Sequence, residues 1–222
     1  LTTIYLVSYT PLCFNATGRK AVSKYNLHPF LDSSVRREPS LEHEHPSITS
    51  LCRASKFAPK LRKGDIVVYI TRKSNFGVKI NKSHWKLTAV LCVKEIMKNH
   101  SDAAKWYKTR NFHIPKNCVV PENPPLPREL SGFSQRTESR ALVDYRRRSR
   151  KYSNYVICDV AFKDTVNPPP LFESDFKRIL GRVPVTQEAN IISYKALDQL
   201  LQLAVKRKFI SEKRRFYKTF VE

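Results

Sequence analysis

Four groupings of side chains in this sequence could do chemistry. His43-Glu44-His45 sets two imidazoles at i and i+2, on one face of a strand, a spacing that suits two ligands of a metal ion. A third ligand would have to come from Asp32, Cys52 or His100 through folding, so solvated or pocket-lining histidines are the plainer expectation, and no metal or other cofactor is assigned. Cys13 and Cys52 are candidate nucleophiles, but no spacing to a histidine marks a Cys–His dyad. Glu38, Glu42 or Glu44 could act as acid or base with Lys60 or Lys79 and Thr49, without a geometry fixed by the sequence. The fourth grouping is different in kind. The basic runs Arg146–Lys151, Lys206–Lys208 and Lys213–Arg215 interleave with Tyr145, Tyr152, Tyr155, Phe209, Phe216 and Tyr217. Cations beside aromatic rings suit phosphates and the faces of bases or sugars. Such runs also occur as solvated faces or localisation signals.

Charge favours the nucleic-acid side of that choice. The chain has 222 residues and a net charge of +22, spread unevenly. Residues 1–53 hold 6 Lys and Arg against 4 Asp and Glu, residues 54–132 hold 16 against 5, and residues 133–222 hold 19 against 10. A near-neutral opening followed by a basic remainder points to a polyanion, most simply nucleic acid. A basic structural component of a ribonucleoprotein is the alternative. With 5 Gly there is neither a GxGxxG nor a GxxxxGK[ST] pattern, which disfavours dinucleotide and nucleoside-triphosphate enzymes. No apolar run approaches a membrane span and no signal peptide is read at Leu1–Val7, so no membrane partner is expected. The 5 cysteines form no CxxC pair and read as thiols of a reducing, intracellular compartment, nuclear or nucleoid-associated if the partner is DNA.

The elements that must position these residues are mostly strands. Thr3–Tyr9, Ile66–Thr71, Trp85–Ile96 and Tyr155–Phe162 are β-rich, and the second and third are expected to pair. Residues 12–62 read as largely irregular but ordered, with a short helix near Arg19–Tyr25. A helix over Asp102–Tyr107 can be capped by Asn99 or Ser101. Ser134–Tyr152 reads as an exposed loop or a helix ordered on a partner. Glu173–Leu180 is a helix stopped by Gly181, and Ser193–Phe209 a helix with Leu197, Leu200, Leu201, Ala204 and Val205 on one face. This makes an α+β protein, a small and partly open β-barrel with flanking helices and a C-terminal helical extension. Residues 1–132 are expected to form the main domain, and 133–222 a basic segment, a closing strand and a helix, as a separate unit or as the completion of the same domain.

Lys63-Gly64-Asp65 leading into Ile66–Thr71, followed by Trp85–Val93, resembles the PUA-like superfamily, which includes the ASCH, EVE and YTH domains. Arg36-Arg-Glu-Pro39, Pro46-x-Ile-Thr-x-x-Cys-Arg53, Tyr69-x-Thr71, His100-x-x-Ala-Ala-x-Trp-Tyr107 and Pro115-x-Asn-Cys118 resemble the nucleotide-modification-associated families in particular. The resemblance implies recognition of a base, modified or flipped, in a pocket beside the barrel. It leaves open an enzyme of the same fold that modifies, excises or hydrolyses a modified base or nucleoside, and it favours DNA over RNA. A base pocket needs a stacking face, polar groups for the base edge and a phosphate contact. Tyr69, Trp85, Trp106 and Tyr107 could stack, although Trp106, beside Ala103 and Ala104, also reads as core. Asn15, Asp32, Thr49 and Thr71 could read the edge. Arg36, Arg37 and Arg53 could clamp phosphate. Tyr69 and Thr71 share a strand face opposite Ile66, Val68 and Ile70, which puts them on the pocket side. Arg62, Lys63, Arg146, Arg147, Arg148, Arg150, Lys151, Lys206, Arg207, Lys208, Arg214 and Arg215 are the candidate backbone contacts.

Overall fold

Strands β1 (Ile4–Tyr9) and β3 (Ile66–Thr71) are nearly continuous apolar runs, the pattern of strands covered on both faces. The computed structural model describes residues 2–52, 57–76, 82–186 and 188–219, with the backbone alone over 209–219. In it β1 and β3 lie side by side and parallel, with Ile4 opposite Ile66 and Tyr9 opposite Thr71. β4 (Trp85–Met97) is antiparallel to β3, and β5 (Tyr155–Lys163) is antiparallel to β4. The two-residue β2 (Ser47–Ile48) pairs with β5, β6 (Pro170–Leu171) with the start of β4, and β7 (Asn190–Ile192) with β1. The seven-stranded mixed sheet runs β2-β5-β4-β3-β1-β7, with β6 off the path.

The protein is α+β, but the sheet is open among the described residues, not closed into a barrel. β5 does not close it. Its outer edge takes only β2, and the chain leaves that edge at Thr49, whose N–H turns to the Glu38 carboxylate instead of a ladder partner. The strands contributed after residue 132 belong to this same sheet, and so does the packing of the last helix.

Alternation along β1 and β3 divides two cores. Ile4, Leu6, Val68, Ile70 and Leu87 pack under α4 (Glu173–Leu180) and α5 (Tyr194–Thr219) through Phe176, Leu197, Leu200 and Ala204. Val7, Tyr9, Val67, Tyr69, Leu91 and Val156 pack under Leu41, Ile48, Phe57 and Leu61. The second cover is therefore not a helix. Residues 30–41 form a run of buried residues without helix or strand. A buried irregular segment must satisfy its backbone polar groups with side chains, and that requirement shapes the site below.

Four helix ends follow the sequence. Asn15 caps α1 (Ala16–Tyr25), Asn99 caps α2 (His100–Lys108), Ser134 caps α3 (Gln135–Lys151), and Gly181 at φ 69° ends α4. Gly18 in α1 is required by close approach, because a β-carbon there would lie 1.7 Å from the Leu12 carbonyl oxygen. α3 is ordered by its own chain: Tyr145, Ala141 and Leu142 pack against Val35, Leu51 and Phe133. Among the described residues no helix is long and apolar enough to cross a membrane, and Cys13, Cys52, Cys92, Cys118 and Cys158 are free thiols.

Candidate functional site

Because β1 and β3 are parallel neighbours, their C-terminal ends open at the same edge of the sheet. A cleft of about 760 Å³ lies there. Ser8, Tyr9 and Thr10 line it from β1 and its exit, and Tyr69, Arg72 and Lys73 from β3 and its exit. The buried loop supplies Asp32, Ser33, Ser34, Glu38 and Pro39, β2 and its exit supply Ile48 and Thr49, and Cys52, Phe57, Phe133 and Thr186 complete the wall. The β3–β4 ladder shifts register between Tyr69 and Ile70, beside the cleft. Such irregularities commonly re-aim a side chain near a site. The Tyr9 and Tyr69 rings meet edge to face at 6.0 Å, and Tyr9 is fixed by its hydroxyl donating to the Phe30 carbonyl.

Two carboxyls form the polar floor. Asp32 Oδ1 accepts the backbone N–H groups of Ser34 at 2.8 Å and Glu38 at 3.0 Å. Glu38 Oε1 accepts from Thr49 N at 2.9 Å, while Oε2 accepts from the Thr49 hydroxyl and from Asn117 Nδ2 at 2.9 Å. Asn117 in turn joins Ser47 and the Tyr155 hydroxyl. Burial pushes the Asp32 carboxyl up from 3.8 to about 6, against the opposing pull of its hydrogen bonds from Ser34 and Glu38 and of the Arg37 charge. Burial likewise pushes Glu38 up from 4.5 to about 8, against its bonds from Thr49 and Asn117.

These shifts have a sign in stability. A carboxyl with a raised native value holds its proton more tightly folded than unfolded, so its contribution is full below about 4.5 and is lost as pH rises through about 8 for Glu38. The Glu38→Gln variant has no such titration. In urea melts, the denaturation midpoint of the wild type should fall relative to Glu38→Gln between these pH values and run level above them. A difference independent of pH would show that Glu38 is ionised throughout.

Arg36 and Arg37, two of the three arginines expected to clamp phosphate, brace the buried loop. Arg36 Nη1 donates to the carbonyls of Asn123 at 2.6 Å and Lys116 at 3.2 Å. Arg37 Nη1 donates to Asp32 O at 2.6 Å and Ser34 O at 3.3 Å, its Nη2 to Leu130 O at 2.7 Å, and its Nε lies 3.4 Å from Glu42. Both are buried, and neither lines the cleft. Arg53 and Lys79 lie outside the described residues. Of the predicted pocket set, Asp32, Thr49 and Tyr69 come together in the cleft. Asn15 is spent on its helix cap and on the Gly132 carbonyl, and the Thr71 hydroxyl accepts the Lys86 N–H of the neighbouring β4. Trp85 packs edge-on against Phe176 in the helix-covered core. Trp106 packs with Tyr107, Phe112 and His45 on α2, under the Arg110 guanidinium at 4.4 Å. Tyr107 is buried in the same cluster and donates to the His45 carbonyl.

Other chemistry suggested by the sequence is also absorbed by structure. His43 Nε2 bonds the His113 carbonyl at 2.7 Å and Nδ1 accepts the His45 N–H at 2.9 Å, so both ring nitrogens are in use. Among the described residues no group of three or more His, Cys, Asp and Glu is placed to hold a metal ion. Arg207 makes paired bonds to Asp175, Lys208 meets Asp164, and Arg148 holds the carbonyls of Leu51 and Cys52. Lys63 reaches Glu95 only loosely at 3.9 Å, and Arg62, Arg146, Arg150, Lys151 and Lys206 are exposed. The side chains of Arg214 and Arg215 lie outside the described residues.

Ser8, Tyr9, Thr10, Phe57, Arg72 and Phe133 line the cleft without having been singled out in the sequence. Tyr9 had a signal, since it ends a strand on the face shared with Tyr5 and Val7. The others depend on the parallel pairing of β1 with β3 and on the loop path, which no local pattern encodes. No protein-family model, no curated protein and no solved structure matches this chain.

Proposed function

We infer that the protein binds nucleic acid and holds one base, unstacked or flipped from its strand, in the cleft at the ends of β1 and β3. One observation carries the reading: a cleft of about 760 Å³ with tyrosines and buried carboxyls inside opens in a chain of net charge +22, with exposed Arg72 on its wall. Aromatic rings supply stacking, Asp32 and Thr49 supply edge contacts, and a cation supplies a phosphate partner. Its volume is in the range of small-ligand pockets and leaves room for a base carrying an extra group. The PUA-like resemblance of the Gly64-Asp65 turn and its strand, and of the nucleotide-modification-associated motifs, supports the same reading and favours DNA. A reducing location, nuclear or nucleoid, follows as part of the proposal.

A second reading is favoured by the carboxyl pair. Asp32 and Glu38, both raised and separated in titration, suit acid–base work on a modified base or nucleoside. One experiment separates the readings. DNA and RNA oligonucleotides with varied base modifications are titrated, and their masses are measured afterwards. A reader binds one modified oligonucleotide at least tenfold better than its plain twin and returns it intact. A changed mass assigns an enzyme. Equal binding across the panel, governed by length and salt alone, overturns the cleft proposal in favour of a basic ribonucleoprotein component.

A further inference from the structure

The outward face of α3 carries a line of cations that the fold does not use. Positions 136, 140, 143, 147 and 150 recur at the three- and four-residue steps of one helix face. Arg136, Arg140, Val143, Arg147 and Arg150 are all exposed, with Lys151 beside them. At the rise of an α-helix the line is about 21 Å long. Among the described residues the side chains of Arg136, Arg140 and Arg150 make no hydrogen bond or ion pair, and Arg147 meets Asp144 at the edge of the face.

Ordinary helix electrostatics do not account for this line. Cations are favoured in a last turn, which covers Arg148, Arg150 and Lys151. Arg136 stands in the first turn, where the macrodipole disfavours it, and Arg140 follows one turn later. Arg136 and Arg140 are spaced i,i+4, as are Arg147 and Lys151, and like charges at that spacing repel. A polyanion laid along the face relieves the repulsion. The opposite face of the same helix backs the cleft. Tyr145 packs on Val35 and Leu51, Arg148 donates to Leu51 O at 2.6 Å and Cys52 O at 3.2 Å, and Phe133, just before the helix, lines the cleft with Cys52.

We propose that the Arg136–Arg140–Arg147–Arg150 face of α3, with Lys151, is a phosphate track, so that the occupant of the cleft is one nucleotide of a polynucleotide chain and not a free nucleotide. The identity of the occupant rests on the base-binding reading of the cleft, whereas the track rests on α3 itself.

The test uses the full chain and a fluorescein-labelled single-stranded oligodeoxynucleotide titrated by anisotropy at several NaCl concentrations. A variant carrying Arg136→Gln, Arg140→Gln, Arg147→Gln and Arg150→Gln is compared with one carrying Lys20→Gln, Lys24→Gln, Lys98→Gln and Lys105→Gln, which removes the same charge from exposed sites elsewhere. The α3 variant should make the log–log salt slope shallower by about 3, at roughly 0.7 for each phosphate contact on a single strand, and the control variant by less than about 1. Binding of a nucleoside monophosphate, followed by calorimetry, should stay within twofold in both. Equal slopes for the two variants would overturn the track, and so would a loss of monophosphate binding confined to the α3 variant, because the helix would then act through the cleft. Anionic vesicles or polyglutamate binding as tightly as the oligonucleotide, with the same dependence on α3, would overturn nucleic acid as the occupant. If the slope changes as expected while monophosphates bind to neither protein, the track stands and the cleft reading fails.

Discussion

Arg37→Met should lower the thermal midpoint by about 10 °C, whereas Arg140→Met should move it by no more than about 1 °C. Arg37 is 1% exposed and serves the carbonyls of Asp32, Ser34 and Leu130 together with the Glu42 carboxylate. Met fills a similar volume and keeps the β-carbon, so the backbone at φ 48° carries the same strain in both proteins. What is lost is donors. The carbonyls of Asp32 and Leu130 lose their donor, Ser34 O keeps only the residue-37 N–H at 3.2 Å, the Glu42 carboxylate loses its cation, and breaking a buried charged network of this kind costs about 3–5 kcal/mol. The loss should also disorder the cleft floor, since Asp32 and Glu38 are placed by the same loop. Scanning calorimetry reads the midpoint. If Arg37→Met melts with the wild type, the loop is held by its apolar contacts and the guanidinium is incidental.

That expectation reverses the functional reading of Arg36-Arg-Glu-Pro39, and the reason lies in the physics of the loop. Charge and residue type mark arginine as a phosphate ligand, but a buried irregular segment has the same appetite for donors that a phosphate has. Arg36 meets the carbonyls of residues 116 and 123, Arg37 those of 32, 34 and 130, and Glu38 collects Thr49 and Asn117. Short motifs that stand far apart in the chain, Arg36–Pro39, Pro46–Cys52 and Pro115–Cys118, thus meet in space, although as architecture. His100 belongs to the same set, because its Nδ1 accepts the Val119 N–H.

The strands were legible for a different reason. Runs such as Ile66–Thr71 have a local cause, and β3, the stop of α4 at Gly181 and the β3–β4 pairing all follow from pattern alone. Pairing partners far apart in sequence do not. β1 meets β3 in parallel across 56 residues, and β7 meets β1 from the other end of the chain. That pairing, not composition, makes the cleft. Tyr69 and Val67 share one face of β3 and both are buried, at 3% and 0% exposure, yet only Tyr69 lines the cleft. The face was readable, whereas the point along it where the cover stops was not. β2, β6 and β7 are two or three residues long, too short to leave a periodic signal.

Tyr69→Ala and Asp32→Asn should each weaken binding of the preferred oligonucleotide by about 10- to 100-fold, while Trp85→Phe and Trp106→Phe leave it within twofold. A base–aromatic stack is worth about 1–3 kcal/mol, and Tyr69 is the ring that β3 presents at the cleft. The tryptophans are the stronger stackers by type, but Trp85 faces Phe176 beneath the helices and Trp106 is closed in by Phe112, Tyr107 and Arg110. Phenylalanine keeps most of their packing, so a binding change there could not be blamed on a collapsed core. Asp32 adds a dependence on pH. A base whose N–H donates to it binds the carboxylate, so affinity should rise as pH passes through about 6 and level off above, and Asp32→Asn should flatten that rise. Anisotropy titrations from pH 5 to 8 at constant ionic strength measure both effects at once. Loss of binding in Trp106→Phe with Tyr69→Ala unaffected would move the base-binding site from the sheet edge to the α2 cluster. A pH profile identical in wild type and Asp32→Asn would remove the carboxylate from the contact and leave the ring.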